Sequence, residues 1–231
     1  MDHEIALAIL GFADLQKQDM LLGDIQKRNP AQRRQAYAAI AAPKANIPSG
    51  VNATYRDEAL RRIDGLPAHV VQGLYEKKLA LGDGCWYTNK AASAVTTLNI
   101  FGGSDAITAG KGNISAEKLE KDYWTLPVII QVLAGVNSDI LDAPYDVIPF
   151  AIANGTFEWR ANDKPFMPKD TSARIFSNAN VSNAPMGSHR ISNPKWLEPQ
   201  TRMSFDFKFS RASVTNTNVG LTLYGAVVQP Y

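Results

Sequence analysis

Near the end of the chain, Met203-Ser204-Phe205-Asp206-Phe207-Lys208-Phe209 alternates apolar and polar side chains without a break. A period of two is the period of a β-strand, so Met203 and three phenylalanines fall on one face and Ser204, Asp206 and Lys208 on the other. One face must pack and the other meets water, which requires a sheet with a core on one side. Further short apolar or aromatic runs bounded by Gly, Pro, Asn and Asp occur at Leu79 to Thr88, Val95 to Phe101, Leu126 to Leu133, Val147 to Ala153, Thr156 to Arg160, Arg174 to Ser177 and Leu221 to Val228. Together they give about eight strand candidates, the number in a sandwich or jelly roll. No long helical pattern separates the later ones, which argues against βαβ units and for antiparallel sheets.

The sequence therefore predicts a mainly β fold, an antiparallel β-sandwich or jelly roll over residues 79–231, preceded by helices. With 231 residues, 45% of them hydrophobic and 20% charged, the chain can build a real core and is not disordered in bulk. Residues 1–45 read as a helical arm, with Pro43 ending its second helix and Pro, Asn, Ser and Gly from Lys44 to Gly50 forming a linker. Residues 46–78 are expected to hold short helices, across Arg56 to Ile63 and from Pro67 onward.

Charge divides the arm. Residues 1–26 carry five acids and one lysine, whereas 27–44 carry Lys27, Arg28, Arg33, Arg34 and Lys44 with no acid. Lys27, Arg28, Arg33 and Arg34 are candidate contacts to nucleic acid or lipid headgroups, because clustered cations neutralise phosphates. The bland alternative is a solvated basic helix, or one lying against acidic residues of a neighbouring copy. Ile5, Leu10 and Phe12 point in too many directions for one stripe and suit a helix covered on several sides. The acidic start and the short apolar run from Ile5 to Ala13 do not resemble a secretory signal or a bilayer span.

Catalytic chemistry finds little support. His3, His69 and His189 fall into no metal-binding spacing, and the single cysteine, Cys85, reads as a buried strand residue. Ala109-Gly110-Lys111-Gly112 fails the phosphate-loop pattern and reads as an ordinary loop. The carboxylates fall into no acid and base pair. No catalytic residue, metal or cofactor is expected.

With its helical, charge-segregated arm, its short strands, the long Asn/Ser/Pro loop from Phe176 to Pro199 and the closing runs at Pro199 to Phe205 and Leu221 to Gly225, the chain resembles the jelly-roll coat proteins of icosahedral viruses, particularly bacteriophages. The resemblance implies a virion structural protein, made in the host cytoplasm and assembled in many copies into a closed shell. Its partners would be copies of itself, other virion proteins, and a packaged genome or internal membrane reached through the arm, with no small-molecule substrate. Phe166, Met167, Met186, Trp196 and Leu197 lie in loop-like, Pro-flanked segments and would be buried between subunits or cover the ends of their own sandwich. The principal alternative is a phage receptor-binding, fibre or decoration module, which would expose a pocket or aromatic patch. A carbohydrate-active enzyme on a β-sandwich comes third.

Overall fold

The computed structural model describes residues 53–101, 107, 109–114, 118–177 and 185–231. The arm at 1–45 and the start of the 46–78 segment therefore lie outside the described residues. The chain divides into two units, one of residues 1–82 and 228–231 and one of 83–227.

In the first unit, α1 spans Tyr55–Arg61 and α2 spans Ala68–Tyr75, close to the helices expected there. Thr54 caps α1 through a reciprocal box, with the Asp57 N–H donating to Thr54 Oγ1 at 3.1 Å and the Thr54 N–H to Asp57 Oδ2 at 2.8 Å. Ala59, Leu60, Ile63, Leu66, Val70 and Leu74 are buried, and the buried Glu58 carboxylate pairs with Arg62 one turn on. Pro67 precedes α2, where a missing N–H costs nothing.

Eight strands follow: β1 Leu79–Ala91, β2 Thr97–Asn99, β3 Trp124–Val136, β4 Thr156–Ala161, β5 Lys164–Ser172, β6 Ser188–Arg190, β7 Met203–Lys208 and β8 Thr217–Pro230. They form two antiparallel four-stranded sheets, ordered β1-β8-β3-β6 and β2-β7-β4-β5. The pairing is nested: first strand with last, second with seventh, third with sixth and fourth with fifth. Side chains of both sheets meet in one core, with Trp86, Ile130, Val132, Leu221 and Leu223 from one and Phe157, Trp159, Met203, Phe205 and Phe207 from the other. This is the arrangement of a β-sandwich.

The alternation in β7 places Met203, Phe205 and Phe207 in that core and leaves Lys208 exposed. Against it, β4 aligns Phe157 with Phe207 and Trp159 with Phe205. The Phe157 and Phe205 rings stack at 5.0 Å. Between β4 and β5, Asn162 and Asp163 both take positive φ, the two-residue hairpin turn for which Asn and Asp are suited.

Two strand expectations are corrected. Val147 to Ala153 is not a strand: Pro149 starts a short helix, α3, Phe150–Ala153, and Val147 makes one isolated bridge to Ala134. Arg174 to Ser177 belongs to a 3-10 turn over Ala173–Phe176, opened by the Ser172 hydroxyl accepting from the Arg174 N–H. Conversely, β5 and β6 were not expected. Pro165 and Pro168 made the β5 segment read as loop, yet β5 is an edge strand, where a missing N–H is tolerated. Cys85 is also corrected: it is exposed, because the alternation of β1 buries its neighbour Trp86 instead.

Candidate functional site

One groove of about 580 Å³ opens beside the C-terminal part of β1. Thr88, Asn89, Lys90 and Ala91 line it from β1, Asn218 from β8, Lys111, Gly112 and Ile114 from the loop after β2, and Ser138, Asp139 and Ile140 from the turn after β3. Each wall is held by its own hydrogen bonds. The loop after β2 lies along the edge of β1: the Asn89 N–H donates to the Lys111 carbonyl at 2.6 Å and the Asn113 N–H to the Tyr87 carbonyl at 3.0 Å. The Asn113 side chain extends this pairing, accepting from the Tyr87 N–H at 2.7 Å and donating to the Cys85 carbonyl at 2.7 Å. Asn89 Nδ2 closes the loop by donating to the Gly110 carbonyl at 2.8 Å.

The opposite wall is a turn locked at several points. Asn137 Oδ1 accepts from the Asp139 N–H and Asp139 Oδ1 from the Leu141 N–H, at 3.0 and 2.9 Å. The Tyr145 hydroxyl donates to the Ile140 carbonyl at 2.9 Å, and burial pushes the Tyr145 phenol up to about 12, so it stays a donor at any ordinary pH. Gly220 allows this closeness, since a Cβ there would stand 2.6 Å from Asn89 Oδ1 and 3.1 Å from the Tyr145 ring. Asn218 Nδ2 ties the turn to β8 by donating to the Asn137 carbonyl at 2.7 Å.

A second feature lies at the end of the sandwich reached by the β1–β2, β3–β4, β5–β6 and β7–β8 connections. There the chain exposes Val136, Leu141, Val147, Phe150 and Val214, with Phe150 76% exposed. Sequence reasoning missed these residues: Val147 and Phe150 fall in a short apolar run that reads as strand core, and Val136, Leu141 and Val214 stand singly outside any run.

The residues singled out from sequence are dispersed. Ile5, Leu10, Phe12, Lys27, Arg28, Arg33 and Arg34 lie outside the described residues. Phe166 and Met167 sit on β5 rather than in a loop, half-buried against the core, with Phe166 4.2 Å from the Trp159 ring. Met186 and Trp196 are half-buried, and the Met186 carbonyl accepts from Gln131 Nε2 at 2.8 Å. Leu197 is only 6% exposed, belongs to the core and pairs through its backbone with Thr125. These contacts favour the second of the two roles weighed for the group, covering their own sandwich.

Among the described residues no group of three or more His, Cys, Asp and Glu side chains could hold a metal, and no helix is long and apolar enough to cross a membrane. His69 is exposed, while burial lowers the pKa of the half-buried His189 on β6. Desolvation raises the Cys85 thiol above its ordinary value, the reverse of what an activated nucleophile needs. Comparison with protein-family models and with curated proteins finds no match, so the fold, the groove and the apolar end must carry the functional reading.

Proposed function

We propose that the chain is a jelly-roll capsid subunit, assembled in many copies into an icosahedral shell. The observation that carries this reading is the nested strand order, β1-β8-β3-β6 facing β2-β7-β4-β5. It is what results when a long antiparallel ribbon, with its turn between β4 and β5, is rolled so that successive strand pairs alternate between two sheets. Eight-stranded jelly rolls recur in viral coat proteins and lectin domains. The apolar end favours assembly: Val136, Leu141, Val147, Phe150 and Val214 face water in a single copy and would be covered where copies meet around a symmetry axis. In this reading Ile5, Leu10 and Phe12 dock on the subunit or its neighbour. Lys27, Arg28, Arg33 and Arg34 then face a packaged genome or the headgroups of an internal membrane. The protein is made in the host cytoplasm and resides in the virion.

The receptor-binding, fibre or decoration alternative is favoured by one observation, the groove beside β1, since such a module needs a preformed pocket. Sedimentation and electron microscopy of the purified full chain separate the two. A capsid subunit gives closed shells or large symmetric assemblies, and Phe150→Ser weakens them while the circular dichroism spectrum stays β-rich. A chain that remains a monomer or a trimer at high concentration overturns the capsid reading.

A further inference from the structure

We propose that the apolar end of the sandwich pairs end to end with the same end of a second copy, about a two-fold axis passing between the β3–β4 and β7–β8 connections. The two sheet orders, β1-β8-β3-β6 and β2-β7-β4-β5, set the four connections at this end side by side in the order β1–β2, β7–β8, β3–β4, β5–β6. Charge is shared unevenly among them. Residues 137–155, between β3 and β4, hold Asp139, Asp142 and Asp146 and no Lys or Arg. Residues 209–216 hold Arg211 and no acid, residues 173–187 hold Arg174 and no acid, and residues 92–96 are uncharged. A two-fold turn reverses the order, so the second connection of one copy meets the third of the other. Arg211 of each copy then faces the acidic connection of its mate, and the end is complementary to itself.

The exposed apolar side chains belong to the same two central connections. Of the seven large apolar side chains exposed among the described residues, five are here: Val136 at the end of β3, Leu141, Val147 and Phe150 before β4, and Val214 before β8. Phe150 and Val214 are 76% and 64% exposed, so the contact gains an aromatic anchor on a connection beside its axis. The two connections are tied to each other, the Asn137 N–H donating to the Asn216 carbonyl at 3.0 Å and the Ser210 N–H to the Ala151 carbonyl at 2.9 Å, so little ordering opposes pairing. Asp142, Asp146 and Arg211 make no ion pair among the described residues, whereas Arg174 Nη2 donates to Asn154 Oδ1 of its own chain at 3.1 Å. Arg211 is therefore the cation left for the acids of another copy. Three acids on this end oppose an anionic headgroup or a phosphate backbone and favour a surface that carries both signs, as a second copy does. The pair rests on the assembly reading above, for which it names one contact of the shell.

Analytical ultracentrifugation of the full chain over a concentration series, with electron microscopy of any shells, tests it. The wild-type chain should form dimers, or assemblies that dissociate to dimers on dilution. Arg211→Glu should weaken the dimer at least about tenfold, because it sets like charges opposite each other. Asp142→Lys together with Asp146→Lys should do the same. All three changes combined restore opposite signs and should bring the dimer back to within about threefold of wild type. The three side chains are exposed, so thermal unfolding should stay unchanged in every variant. A combined variant that does not recover, or dimers indifferent to either charge reversal, overturns the proposal. So does a wild-type chain that stays monomeric, including one that binds phosphatidylcholine vesicles through Phe150. Dimers that never grow into shells support the pairing and count against the capsid reading. Shells that form equally well in all variants overturn the pairing and leave the capsid reading standing.

Discussion

Phe207 illustrates how much a single side chain can carry in this core. It is 1% exposed, with ring centres of Phe205, Phe157 and Phe209 at 4.9, 6.0 and 6.1 Å. Phe207→Ala should therefore cost about 3–5 kcal/mol in urea unfolding. Lys208, the next residue, points to water and makes an exposed ion pair with Asp170 at 3.2 Å, so Lys208→Ala should shift stability by no more than about 0.5 kcal/mol. Equal losses would mean that the assigned register of the strand is wrong. These two positions were legible in the sequence because polarity alternates cleanly around them. Cys85 was not, because Leu79 to Ala91 mixes small, polar and aromatic residues without a dominant face. Gly225 carries no local signal either. A Cβ there would stand 1.9 Å from the Leu126 carbonyl oxygen, a constraint set entirely by a distant strand. The groove was hidden for the same reason: Thr88, Lys111 and Asn218 meet only after folding.

Elements at the rims of the sheets show how the fold limits unwanted pairing. β5 is an outer strand, and its Lys164, Pro165, Pro168 and Lys169 make it a poor template for a foreign strand. β1 is protected differently, by the Gly110 to Asn113 loop and by the Asn113 amide, which imitates a backbone partner for Tyr87 and Cys85. Asn113→Ala should remove both bonds, lower stability by about 1–3 kcal/mol and increase light scattering on heating, as the freed edge pairs between molecules. Asn113→Asp keeps the acceptor for Tyr87 and loses the donor to Cys85, so it should fall between the two in thermal unfolding. An unchanged melting curve and unchanged scattering for Asn113→Ala would show that the loop does not guard this edge. The sequence revealed this loop but not its task, since a Gly-Lys-Gly stretch gives no sign of what it lies against. The errors at Val147 to Ala153 and Arg174 to Ser177 have a similar origin. A short apolar run suits a strand or a single helical turn equally, and Pro149 and Ser172 decided locally for the turn.

At the scale of the molecule, six of the eight strands were readable and their order was not, because β1 and β8 find each other across nearly the whole described chain. No local pattern encodes such a partnership. β8 lies between β1 and β3, so removing residues 217–231 should abolish cooperative urea unfolding rather than merely lower its midpoint. A truncated chain that still unfolds in one sharp transition would mean that the remaining strands close the sheet without it. Pairings so distant in sequence also predict slow folding, since loop closure must precede the contacts that reward it. A ribosome making this chain would release the β4–β5 hairpin only after β1, β2 and β3, and the first sheet would stay divided until β8, which joins β1 to β3, emerged. Trp86, which β1 turns into the core, thus stays without β8 beside its strand while residues 92–216 are made, so chaperone access during translation becomes a condition of yield for a protein whose finished form buries that ring.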